Sequence, residues 1–283
     1  MSRTSCGERA FLSSWAGSGT DVAVQVLRVD LGPGVVAGFT LRSGGVSSGG
    51  FAESNLGSSV GDDEAAVAAN LADVTAWLGA RPVFAHQVHG ADVRLVDLAA
   101  GVASGTSSRV DVQVAVRPPA GQVPRFALGV LAADCLPVLF ADPVAGVLAT
   151  AHAGRRGLAA GALQAAVAAV TAAGGRREHL RAVVGPGICG RCYEVPDALR
   201  RAVDSVVPGT GCVTDAGTPG LDLPAGAASV LAALGLHSVE VVDRCTATDD
   251  AFFSYRAAGG AGGVSGRFAG VVAFAPPGSR VRR

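Results

Sequence analysis

The chain has no lysine: all 23 of its basic residues are arginines, matched by 23 Asp and Glu. That absence excludes two chemistries. A phosphate-binding P-loop needs a lysine on the β- and γ-phosphates, and an imine-forming aldolase or pyridoxal enzyme needs a lysine amine. The usage is rich in Ala, Gly, Val and Arg with a single Met, as a GC-rich coding bias would give, which accounts for the missing lysines without weakening the exclusion. Histidine is scarce as well, at five residues. The arginines never gather into a run, so the electrostatic footprint that a nucleic-acid backbone requires is missing and no nucleic-acid partner is expected. The N-terminal "MSRTSCGERAFLSSWAGSGT" lacks an apolar run long enough for a signal peptide. No later segment reaches membrane-spanning length without Gly, Pro or charge. No membrane partner is expected, and the sequence reads as cytoplasmic. In a reducing compartment its six cysteines (Cys6, Cys135, Cys189, Cys192, Cys212 and Cys245) are expected as thiols, buried or ligating, rather than as disulfides.

What is present suffices for a core: 283 residues with 49% hydrophobic content fold without staples. Residues 1–20 are small and polar and read as a loose tail. "VAVQVLRVDLGPGVVAGFTLR" follows as two strands around a Gly-Pro-Gly turn. "DDEAAVAANLADVTAWLGA" is a helix capped by Asp62 or Asp63 and ended by Gly79. Apolar runs in "PVFAHQVHGADVRLVD", "RVDVQVAV", "RFALGVLAADCLPVLFAD" and "AGVLATAHAG" have few helices between them, which argues a mixed or antiparallel sheet. Helices in "LAAGALQAAVAAVTAAGG", "PDALRRAVDSVV" and "PAGAASVLAALGL" alternate with strands in "RAVVGPGI", "SVEVVDRC" and "FAGVVAFA". The class is α/β with mixed β-sheets, and no linker divides the chain.

Three segments pair a strong ligand with a chain break: His89 before Gly90, Cys135 two residues before Pro137, and His152 before a helix. Two imidazoles and a thiolate make a three-ligand zinc site whose fourth position is left for water or substrate. Each residue alone also has a plain reading, the cysteine as a small buried hydrophobe and the histidines as hydrogen-bonded loop groups. The single CxxC, Cys189 and Cys192, is a weak zinc signal, and its redox reading calls for a low-pKa thiol at a helix N-terminus.

The motifs "TLRSGGVSSGGFAESNLG...GDD", "QVHG", "ADCLPV", "AHAGRRG", "GPGICGRCYEV" and "CTATDDAFFSYR...SGR" occur in one order from about Arg42 to Arg267. Together they resemble the laccase-domain, or polyphenol oxidoreductase, family, members of which act as zinc-dependent purine nucleoside phosphorylases. The resemblance implies a single catalytic domain over 21–277, in a layered α/β/β/α arrangement, with short tails at 1–20 and 278–283. It implies His89, Cys135 and His152 as the zinc ligands and the catalytic centre, with purine nucleosides and phosphate as partners. Adenosine, inosine and methylthioadenosine are then cleaved by phosphate to the free base and a sugar 1-phosphate, and adenosine is also deaminated. Zinc suits deamination because it acidifies a bound water. His86 falls where the motif needs no histidine and reads as a partly buried loop residue.

For phosphate, Arg42 beside the Gly-rich loop is the first candidate and Arg156 the second, because a guanidinium offers bidentate contacts. "CYEV" places Tyr193, with Cys192 and Glu194, at the substrate pocket by resemblance. Asp134 borders a ligand and either orients an imidazole or carries a proton, unless its strand is regular, in which case it points away from Cys135. Five histidines are too few for a trinuclear copper cluster plus a blue-copper site, so multicopper oxidation does not fit, although copper can occupy such a site adventitiously. The chain departs from the family in Arg155 for Trp, Cys189 for Gly, and "SYRAAGG" for "SYRRDG", changes that touch base stacking and substrate preference. Two rivals remain open: a cysteine hydrolase acting on a cell-wall precursor, with Cys135 as nucleophile and His152 as base, and a non-enzymatic, metal-stabilised interaction protein.

Overall fold

The computed structural model describes residues 12–14, 24–100, 109–119 and 122–275. The first half runs β1 (Leu12–Ser14), β2 (Gln25–Arg28), β3 (Val35–Thr40), α1 (Glu64–Leu78), β4 (Arg81–Val83), β5 (Val93–Leu95), β6 (Val112–Val116), β7 (Phe126–Ala132), β8 (Leu136–Asp142) and β9 (Val147–Ala153). The second half runs α2 (Arg155–Ala159), α3 (Ala162–Ala172), β10 (Arg181–Val184), α4 (Asp197–Val206), β11 (Gly211–Val213), β12 (Pro219–Leu221), α5 (Leu223–Ala233), β13 (Ser238–Val241) and β14 (Phe268–Phe274).

Local chemistry accounts for these elements. The Asp63 side chain accepts from Ala65 N at 2.7 Å to start α1, and Gly79, left-handed at φ 71°, ends it. Val67, Asn70, Val74 and Leu78 form its buried face at helical spacing. β2 and β3 form the expected hairpin, pairing Leu27 with Phe39 across a turn whose Gly32 and Gly34 have positive φ.

Two six-stranded sheets result, ordered β1-β2-β3-β14-β7-β4 and β13-β10-β8-β9-β6-β5. Most pairings are antiparallel, while β4–β7, β5–β6 and β10–β13 are parallel. Their facing sides share one core: Leu27, Phe39 and Leu128 from the first sheet meet Leu139, Leu148 and Val183 from the second. The outer face of the first sheet packs on Val74 and Leu78 of α1, and that of the second on α3 and α5 through Leu163, Val167 and Leu231. The order of layers is therefore helix, sheet, sheet, helices, the α/β/β/α arrangement expected. No helix among the described residues is long and apolar enough to cross a membrane.

The structure departs from the sequence reading where the site is built. "RFALGVLAADCLPVLFAD" is two strands, β7 and β8, because Asp134 between them has φ 88° and a left-handed residue cannot continue a strand. "PVFAHQVHGADVRLVD" contributes only the short β4 and β5, with 84–92 as a loop. The helix after His152 is broken into α2 and α3 at Gly161, φ 89°. Leu12–Ser14, read as part of a loose tail, pair with β2. The rest of 1–20, Cys6 with it, and the tail at 278–283 lie outside the described residues.

Phe39 is fully buried between the sheets, and a Cβ on Gly185 would come within 2.3 Å of its ring. Phe39→Ala is expected to cost about 3–5 kcal/mol, measured as a lower denaturation midpoint at unchanged slope.

Candidate metal centre

The second sheet brings one set of chain breaks to one edge. β8 and β9 are antiparallel neighbours in which Pro137 faces His152, so Cys135, just before β8, lies beside the end of β9. β6 pairs on the other side of β9, Val112 facing Ala151, which puts Asp111 at the same edge. β5 begins alongside β6, and the loop that precedes it carries His89. Residues distant in sequence thus converge without any local metal motif.

The donor atoms of His89, Cys135 and His152 all lie within 4.8 Å of one another. His89 Nε2 is 3.8 Å from Cys135 Sγ, and the two imidazoles meet edge to face with centroids 4.7 Å apart. His152 is buried, Cys135 half-buried and His89 exposed, so the set opens toward solvent on one side. Gly154, which caps α2, leaves the room: a Cβ there would sit 2.5 Å from Cys135 Sγ.

Asp111, which the sequence reading missed, holds the arrangement. Its carboxylate accepts from the backbone amides of Val88 (3.1 Å), His89 (2.9 Å) and Gly90 (2.7 Å), and from His152 Nδ1–H at 2.8 Å. His89 is left-handed at φ 62°, a strained conformation for a non-glycine residue that the three amide bonds impose. With Nδ1 committed to Asp111, His152 keeps Nε2 as its ligand nitrogen, the usual orientation of a metal-bound imidazole. Burial opposes ionisation of Asp111, yet the His152 hydrogen bond and the Gly90 amide hold its pKa below the ordinary carboxylate value. Burial likewise opposes the thiolate, but the charge of His152 brings Cys135 down to about 6, and the Cys135 charge, with the Asp111 hydrogen bond, lifts His152 to about 9 against its own burial.

Other expectations fare differently. Asp134 orients neither imidazole: its carboxylate turns away, accepting from Thr246 Oγ1 (2.7 Å), Ser254 Oγ (2.6 Å) and Arg256 N (2.6 Å). His86 is exposed, not partly buried. Arg42 donates Nε–H to Ala52 O at 2.6 Å, covers the Phe253 ring at 5.2 Å, and lines a cavity of about 260 Å³ together with Thr246, Ser254 and Ser265. Arg156 is exposed on α2, and Tyr193 is half-buried beneath the Arg256 guanidinium at 5.2 Å. A second residue unassigned from sequence, Arg267, is half-buried and within electrostatic reach of Cys135 and Asp134. The CxxC lies ahead of α4 rather than at its N-terminus, and burial, then the Cys189 neighbour, pushes Cys192 up to about 12, against the redox reading.

The family model described as multi-copper polyphenol oxidoreductase laccase matches residues 36–275. The chain belongs to this family. It is 47% identical over 221 residues, 77% of this chain and 87% of that protein, to the Streptomyces griseus protein named purine nucleoside phosphorylase ORF3. It is 42% identical over 236 residues, 82% of this chain and 89% of that protein, to the Mycobacterium tuberculosis (strain H37Rv) protein named purine nucleoside phosphorylase Rv2149c. Among solved structures of the family's fold, YlmD from Geobacillus stearothermophilus superposes with a TM-score of 0.77 at 30% identity, covering 89% of this chain and 96% of that one. In this family member the described residues cluster two histidines with one thiol, and His179 and His237 stand outside the cluster.

Asp111→Asn is expected to weaken metal affinity about 10- to 100-fold, read by competition with a chromophoric chelator; unchanged affinity would contradict the role given to Asp111. In metal-free protein, thiolate and imidazolium coexist between pH about 6 and about 9. Their stabilisation is lost as pH falls through the Cys135 value and as it rises through that of His152. Alkylation of Cys135, followed by peptide mass spectrometry, is expected to titrate near pH 6, and a midpoint near 9 would contradict the pairing.

Proposed function

We propose that this protein is a zinc-dependent purine nucleoside phosphorylase that cleaves adenosine, inosine and methylthioadenosine, and that it also deaminates adenosine. The observation that carries the reading is the convergence of His89, Cys135 and His152 at one sheet edge, in a chain 47% identical to a protein named purine nucleoside phosphorylase. The donor set fits zinc: two imidazoles and a thiolate, one imidazole fixed by a carboxylate, and an open side for a fourth ligand. When bound, zinc supplies Lewis acidity at the mouth of the site.

The chain's own residues have the remaining work. In phosphorolysis an oxygen of hydrogen phosphate bonds to C1′ as the C1′–N9 bond breaks, and the proton that the hydrogen phosphate gives up leaves on the base. Arg42, with Nε held by Ala52 O, has its terminal nitrogens for bidentate phosphate contact, and Arg156 and Arg267 are the other candidate cations. Tyr193, pinned under Arg256, offers a flat wall for the base. Asp134 keeps Thr246 and Ser254, which line the same cavity as Arg42, in place.

One observation favours a second reading. Cys135, His152 and Asp111 stand in nucleophile, base and orienting positions, with the thiol brought down to about 6, as a cysteine hydrolase requires. Metal separates the two, because a ligated thiolate cannot act as nucleophile.

Purified, zinc-loaded protein with adenosine and phosphate is expected to give adenine and ribose 1-phosphate, and a trace of inosine when phosphate is withheld, by chromatography. A folded Cys135→Ala variant gives none of these. Arg42→Ala should raise the KM for phosphate about 10- to 100-fold at unchanged zinc content, the loss of charge-assisted hydrogen bonds. No base release from zinc-loaded protein would overturn the phosphorylase reading.

A further inference from the structure

Three more cysteines meet on the other side of Asp134. The Sγ atoms of Cys189, Cys192 and Cys245 all lie within 4.8 Å of one another, and all three are free thiols. They come from two segments that the backbone fixes together. After β10 the chain turns tightly, with the amides of Cys192 and Tyr193 both donating to Cys189 O at 3.0 Å, so both ends of the CxxC face one way. After β13, Cys245 forms a parallel bridge with Gly187, and Thr246 N donates to Gly187 O at 3.1 Å. The amide of Cys189 donates to Cys245 Sγ at 3.4 Å, the kind of N–H···S contact that supports a ligating sulfur.

Packing does not account for the cluster. Each of the three residues is half-buried, so none is simply a small hydrophobe of the core. Cys245 also lines an open cleft of about 640 Å³ with Arg191, Asp243, Arg244, Thr248 and Asp249, which leaves a fourth ligand position open to water.

We propose that Cys189, Cys192 and Cys245 form a second metal site, taking a thiophilic d10 cation, zinc foremost. Three thiolates select soft ions and reject magnesium and calcium. Zinc at its usual 2.3 Å from each sulfur spaces them roughly 4 Å apart, so the three side chains close by less than about 1 Å. The site clasps both segments that hold Asp134: Ile188 N donates to Asp134 O at 3.0 Å, and Thr246 Oγ1 to its carboxylate at 2.7 Å. A metal there is a structural clasp behind the residue that precedes Cys135, and the proposal does not depend on the phosphorylase reading.

Zinc per chain, by elemental mass spectrometry on full-length protein purified under reducing conditions, is the test. Cys192→Ser and Cys245→Ser are each expected to lose one zinc per chain relative to the wild type. Cobalt(II) alone, added to metal-free Cys135→Ser, should give an intense thiolate charge-transfer band in the near ultraviolet. That second measurement decides the matter even where a cysteine variant of the cluster fails to fold. Zinc content unchanged in both serine variants, or no thiolate band in cobalt-loaded Cys135→Ser, would overturn the proposal.

Discussion

One buried carboxylate organises the centre. Asp111, 3% exposed, accepts three consecutive amides of the 88–90 turn and the Nδ1–H of His152. Hydrogen bonds to a charged group contribute about 1.5–3 kcal/mol each, whereas a left-handed non-glycine residue costs about 1–3 kcal/mol. The bonds win, which is why His89 can be held at φ 62° with its ring against Cys135 and His152. A single charge thereby sets a backbone conformation, a tautomer and a ligand direction.

The fold supplies that carboxylate with its partners. Antiparallel β8 and β9 place the chain break before one strand beside the end of the other, and β6 adds Asp111 to the same edge. The left-handed Asp134 breaks the long apolar run so that Cys135 leaves the strand path, and its own carboxylate ties the 246–256 segment to the centre from behind. Two positive-φ residues thus flank the site, each held by bonds to residues far away in sequence.

Much of this was legible in the sequence, for identifiable reasons. The alternation of Ala, Val and Leu runs with Gly, Pro and Asp breaks marks most strands of the two sheets, β1 excepted, and α1 with its cap, and the ordered motifs point to His89, Cys135 and His152. Asp111 was not legible, since in "RVDVQVAV" it looks like any polar residue at the start of a strand. Only its burial beside three amides, a property of the folded sheet, reveals it. Asp134 stayed open between a partner for an imidazole and a side chain turned away from Cys135, because its direction follows from a backbone φ of 88° that strand periodicity does not contain. The CxxC was weak alone because its third thiol, Cys245, lies across a strand bridge, 53 residues beyond Cys192 in sequence and adjacent in space.

The most direct test of the account is the position of a bound metal. Anomalous diffraction at the zinc edge from crystals of zinc-loaded protein should place an ion between His89 Nε2, Cys135 Sγ and His152 Nε2, with His152 Nδ1–H still donating to Asp111. No ion between these three side chains, or one bound through His152 Nδ1 with Asp111 released, would contradict it.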